Sequence, residues 1–120
     1  MNDQDGSVSV IVAVIVAAMV ILGSGAADLA RVFVAASRAQ TAADAASLAA
    51  AQELALATDR APEDVAAEYA ARNAGELVGC DCEEGALEAT VDVVVPVGPL
   101  LLFADDRVVQ ASARAVVDTG

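Results

Sequence analysis

Few residues in this chain are of types that do chemistry. Cys80 and Cys82 form the only thiol pair, Glu83-Glu84 and Asp105-Asp106 are adjacent acids in turn-like stretches, and there is no histidine. Histidine is the usual general base near neutral pH and the commonest metal ligand, so its absence removes both roles. A structural zinc site needs four ligands, and two thiols without an imidazole do not supply them. Neighbouring carboxylates point apart and read as solvated turns. The serines have no histidine base, and no glycine-rich phosphate loop, nucleophile elbow or calcium loop is present. The expectation is a protein with no catalytic role, no cofactor, no metal and no small-molecule substrate. The thiols leave three states open: free and buried, bridged within the chain, or bonded to a partner. Residues two apart on a strand face the same way, but at a spacing above the disulfide optimum, so an internal bridge requires local distortion.

The elements that must position these residues follow from composition and periodicity. The chain has 120 residues, room for one small domain plus an appended helix. It is 58% hydrophobic but only 2% aromatic, with Phe33, Tyr69 and Phe103 as its aromatics. A core so poor in large side chains must be small, unless part of the apolar surplus lies in lipid. The net charge of −12, with six arginines and no lysine, gives no basic surface for phosphate backbones and argues against nucleic acid as a partner. It also opposes electrostatic attachment to anionic lipid, so any membrane association must be by hydrophobic insertion.

From Ser7 to Ala27 no residue is charged, and Val8–Leu22 is almost solidly aliphatic. As a helix this run spans about 30 Å, the hydrocarbon thickness of a bilayer. Valine and isoleucine are poor helix formers in water, but in lipid the backbone has no other hydrogen-bond partner. The competing reading is a cleaved secretory signal with Val8–Leu22 as its apolar region and Gly23–Ala27 as its small-residue site. A signal peptide wants positive charge in front, where this chain has Asp3 and Asp5, so the spanning helix is preferred. Arg31 and Arg38, on the C-terminal side, weakly favour a cytoplasmic C-terminal domain. Ser9, Ala13 and Ala17 recur every fourth residue and make a small-residue stripe that suits close helix packing in lipid.

Beyond Ala27 neither glycine nor proline interrupts the helical signal before Pro62. Val32, Ala36, Ala39, Ala43, Ala46, Ala50 and Ala57 fall on a heptad-like seam, with Ser37, Gln40, Asp44 and Ser47 on a polar stripe. A continuous helix over Val8–Ala57 would be roughly 75 Å long. Thr58–Pro62 breaks it, and Pro62-Glu63-Asp64 reads as the first turn of a second helix that ends at Asn73-Ala74-Gly75 with a glycine cap. The period then changes to two. Leu87, Ala89, Val91, Val93 and Val95 form one inward-facing set, and Val109, Ala111, Ala113, Ala115 and Val117 another. Glu76–Cys82 is a shorter partner strand. The apolar loop Pro96–Phe103 either tucks under the sheet or meets a partner. The predicted fold is α+β: a long N-terminal transmembrane and stalk helix, then a second short helix and a small three-stranded antiparallel sheet on the stalk. The predicted divisions are a short leader over 1–6, a transmembrane helix over 7–27, a helical stalk over 28–57 and a small α+β domain over 58–120.

The stretch Ser37–Ala51 resembles the Arg-x-Gln-x-Ala-Ala-Asp-Ala-Ala-x-Leu-Ala signature that follows the membrane helix in TadE- and TadG-like pilus-assembly proteins, through Arg38, Gln40, Ala43, Asp44 and Leu48. With Gly6-Ser7 ahead of the apolar run, the chain looks like the actinobacterial TadE-like proteins encoded near helicase and secretion genes. The resemblance implies a pseudopilin of the bacterial inner membrane, single-pass, with its C-terminal domain outside the cytoplasm. It also implies other pilin-like subunits and the Tad assembly machinery as partners, and a peptidase cut after Gly6 that leaves Ser7 first. Ile11 stands where the pilin pattern places a glutamate, which points to a minor or accessory subunit of a Tad-type (type IVb-like) pilus or related secretion system. The alternatives are a membrane-tethered adaptor and a small secreted protein released by signal peptidase.

Overall fold

The computed structural model describes residues 3–102 and 107–118, with side chains from Gly6 onward. Phe103, Asp105 and Asp106 lie outside the described residues. Helix α1 covers Asp3–Leu56, 54 residues without a break, and sets the longest dimension of the molecule at 85 Å. Its lower part is long and apolar enough to cross a membrane, and among the described residues none of its most apolar stretch is buried. Ser24, set in this apolar stretch, donates its hydroxyl to the carbonyl of Val20 at 2.9 Å, so the polar group is satisfied within its own helix.

Helix α1 stops at Leu56 because Ala57 takes a left-handed conformation, φ 46°, while its N–H still reaches the carbonyl of Glu53. The seam expected to run to Ala57 therefore ends earlier, and Ala57 is exposed. Helix α2, Pro62–Arg72, opens with proline and two acids, as its first turn predicts. Its end differs from expectation. The left-handed residue is Ala74, φ 62°, and not Gly75. Gly75 is needed for a different reason: a Cβ there would sit 2.5 Å from Val93 Cγ1 and 2.8 Å from Ala42 Cβ. The chain crosses at that point between α1 and the sheet, where only hydrogen fits.

Strands β1 (Glu76–Asp81), β2 (Glu88–Pro96) and β3 (Val108–Val116) form one antiparallel sheet with β2 in the centre. The β1–β2 register slips between Leu77 and Gly79, a bulge that leaves Val78 unpaired and exposed. Ala89, Val91, Val93 and Val95 of β2 are buried against α1, whose Ala42, Ala43, Ala46 and Ala50 have no exposed surface. Leu87, expected at the head of this inward set, precedes the strand and is exposed. The inward face of β3 is Val109, Ala111, Ala113 and Ala115. Alanine on the helix lets the sheet approach closely, and the two valines of β2 fill the remaining space. The fold is α+β, with one long apolar helix, one short helix and three antiparallel strands.

Candidate functional site

Helix α1 presents two opposed faces above the apolar stretch. One is the seam Ala35, Ala39, Ala42, Ala43, Ala46 and Ala50, sealed by β2, β3 and α2. The other carries Leu29, Phe33, Gln40, Asp44 and Leu48, all exposed, Leu48 at 59%. These positions follow one another at spacings of four and seven, so they align as a ridge on the side away from the sheet. Gln40 Nε2 donates to Asp44 Oδ1 at 2.9 Å, one turn on, which fixes both amide and carboxylate on the ridge. The sequence stripe Ser37, Gln40, Asp44 and Ser47 is only partly outward. Ser47 is 2% exposed and donates to the carbonyl of Asp44, because it lies at the margin of the covered face. Of the resemblance residues, Arg38, Gln40, Asp44 and Leu48 face outward and Ala43 belongs to the core.

Ser9, Ala13 and Ala17 are exposed, and they stand below the sheet side of the helix. Three turns up from Ala17 comes Asp28, then Ala39, then Ala50, all buried. The stripe and the ridge thus lie on opposite sides of one rod. Gly6 and Ser7 lie near the start of α1, with open space around Gly6.

Asp28 went unrecognised in the sequence. It is the first charged residue after the apolar run, and it is 3% exposed. Its two carboxylate oxygens accept the backbone N–H groups of Leu101 and Leu102 at 2.6 and 2.8 Å. Arg31, one turn above, donates to the carbonyl of Pro99. Together they strap the β2–β3 connection to the side of α1. The loop is therefore not under the sheet: it rides on the helix beside Gly25, with Leu101 and Leu102 exposed. Its base is closed by Val97 N–H donating to the carbonyl of Arg107 at 2.9 Å. A carboxylate that accepts two N–H bonds from a loop 73 residues away leaves no local periodicity; its only sequence signal is a lone acid at the end of an apolar run.

Cys80 and Cys82 are joined by a disulfide with Cα atoms 5.4 Å apart, an ordinary spacing for such bridges. The strand ladder ends at Asp81, so Cys82 is free of it and the backbone closes the distance that a regular strand would not. Both cysteines are half-buried at the edge of the core. Among the described residues no group of acids and cysteines is placed to hold a metal ion.

At the far end, Glu68 of α2 pairs with Arg60 and Arg72. The hydrogen bond from Arg60, aided by the charge of Arg72, holds the Glu68 carboxyl below its ordinary range, and the Arg60 guanidinium is raised in turn. The Arg72 guanidinium also lies 5.0 Å from the centre of the Tyr69 ring. These contacts knit α2 to the linker before it.

What the described residues offer is thus an uncovered apolar rod with an exposed ridge. A family model covers that rod. Residues 6–53 match the Flp pilus-assembly TadE/G-like family. Over this stretch the chain is similar to that family. The match takes in the apolar stretch, the seam and the ridge, and it stops before α2 and the sheet. No curated protein and no solved structure matches the chain. The TadE/G-like match implies involvement in pilus assembly and association with a membrane.

Proposed function

We propose that this TadE/G-like protein is a minor pseudopilin, a non-catalytic accessory subunit in the assembly of a Tad-type pilus or a related secretion system. It crosses the inner membrane once through residues 7–27, uses 28–57 as a stalk and carries residues 58–120 outside the cytoplasm. Its partners are other pilin-like subunits and the Tad assembly machinery. The observation that carries the reading is the ridge: Gln40, Asp44 and Leu48 of the TadE/G-like segment face away from the chain's own sheet, where a neighbouring helix can reach them. With the Ser9–Ala13–Ala17 stripe on the other side, one neighbour cannot touch both surfaces. Two different neighbours can, which is the head-to-tail geometry of an open assembly. The Cys80–Cys82 bridge supports an oxidising compartment for the domain, against the weak pull of Arg31 and Arg38 toward the cytoplasm. Arg31 is in any case engaged by the loop.

Gly6 lies near the start of α1 with space around it, so packing does not demand glycine there, whereas a peptidase cut after Gly6 does. Release by signal peptidase at Ala27 is disfavoured, since it would sever α1 beside the buried Asp28 and remove Gly25 from under Leu102. Mass spectrometry of the native protein reads the outcome. A start at Ser7, or an uncut chain, in the membrane fraction is expected. A start at Ala27 or Asp28 in the culture fluid would overturn the proposal in favour of a secreted protein. Photo-crosslinking from position 48 in cells should capture pilin-like subunits, and capture from position 87 should not. Equal capture from both sites would remove the ridge from the argument.

A further inference from the structure

The strapped loop has a use beyond joining two strands. We propose that Leu101 and Leu102 form a second membrane contact, a small hydrophobic foot that enters the bilayer interface beside the spanning helix and sets the domain's height and rotation. The inference rests on the spanning helix proposed above, and three observations carry it.

The first is height. Leu102 Cδ1 lies 3.7 Å from where a Cβ at Gly25 would stand, and Gly25 is inside the uncharged run that ends at Ala27. With that run filling about 30 Å of hydrocarbon, the loop meets α1 at the hydrocarbon boundary. The second is exposure. Leu101 and Leu102 are 60% and 49% exposed, adjacent in sequence, and continuous with the bare apolar helix. Beside them Gly25, Leu29, Val32 and Leu100, together with the charged Asp28 and Arg107, line a cleft of about 270 Å³ whose apolar part a lipid chain segment can fill. The third is backbone satisfaction. An irregular loop is barred from lipid by its bare N–H groups. Here the N–H groups of both leucines are taken by the buried carboxylate of Asp28, which leaves their side chains to face outward without that penalty. The occupant is lipid, not an acidic or basic partner, because the surface is apolar and abuts the span.

The chain contains no tryptophan, so single tryptophans report their own surroundings. Leu102→Trp, Ile15→Trp and Leu87→Trp variants of the full-length protein are reconstituted in phosphatidylcholine vesicles brominated high or low on the acyl chains. Leu87 is the aqueous control, exposed at the opposite end of β2. Leu101→Trp is made in parallel, in case the larger ring at 102 disturbs the contact with Gly25. The expected result is blue-shifted emission at 101 or 102 with quenching by the upper bromines, quenching at 15 by the lower ones, and no quenching at 87. Quenching at 15 with none at 101 and 102 overturns the foot and leaves the span standing. Absence of quenching at 15 overturns the span itself, and the foot with it. A blue shift at 102 without quenching, growing with the protein-to-lipid ratio, assigns the surface to a second copy of the chain and also overturns the proposal.

Discussion

The two halves of α1 are one uninterrupted helix that meets two different solvents. Below Asp28 it is built of Val, Ile, Leu and Met, every one exposed. Above Asp28 its covered side is alanine, sealed by the sheet and by α2. Most of the larger apolar side chains thus lie in the half that the protein leaves bare, and those of the upper half, Leu29, Phe33 and Leu48, stand on its exposed ridge. In a water-soluble protein the bulky half would be the buried one. The inversion makes sense if lipid solvates the lower half, while the upper half needs close approach of a small sheet more than it needs area. Asp28 marks the changeover, and the loop it holds reaches about one turn lower, to Gly25.

The sharpest way to break this comparison is a charge in the lower half. Ile15→Arg puts a guanidinium at the centre of the run, where insertion is expected to lose about 3–4 kcal/mol. The carbonate-resistant fraction of the protein should fall in cells, while the thermal transition of the sheet domain in detergent stays where it was. A lowered transition would mean that the two halves are coupled. The next largest effect belongs to the upper half. Ala46 has no exposed surface and faces the inward residues of the sheet. Ala46→Leu forces three more carbon atoms into that contact and should cost about 1–3 kcal/mol of domain stability, read as an earlier denaturant midpoint with insertion unchanged. The matched change below, Ala13→Leu, should leave the midpoint alone because Ala13 touches nothing in its own chain.

Legibility in the sequence divides along the same line. The apolar run and the period-two strands could be read directly, because each is a local pattern with one physical cause. Ala39, Ala43, Ala46 and Ala50 were also legible as a seam, and all four are fully buried. The failures are where a distant segment decides. Ala57 lost its place on the seam to a left-handed turn, and Ser47 was drawn into the covered margin. Gly75 looked like a helix cap, yet its constraint comes from Val93 and Ala42, on other elements. Asp28 showed only as a lone acid at the end of the apolar run, since its partners are 73 and 74 residues away. The ridge was visible in part, through Gln40 and Asp44 of the polar stripe and Leu48 of the family resemblance. That it faces away from the sheet could not be known until the sheet was placed.

The smallest expected effect lies farthest from the membrane and tests whether the domain end is as fixed as the seam. Glu68, with a side chain 35% exposed, accepts from Arg60 in the linker and from Arg72 one turn on. Because the folded carboxyl is held below its ordinary value of 4.5, its contribution to stability is present above that pH. The contribution is lost as pH falls through the lower, folded value. Solvent screens so open a pair, so the effect on the midpoint is slight and should shrink with added salt. A nuclear magnetic resonance titration of the Glu68 side chain reads it directly. The midpoint should lie below 4.5 in the native protein and move up toward it in Arg60→Gln, the partner whose hydrogen bond contributes most. A Glu68 that titrates at 4.5 in both would show that the linker and α2 are not tied together in solution. The firmness of the upper half would then end with the alanine seam.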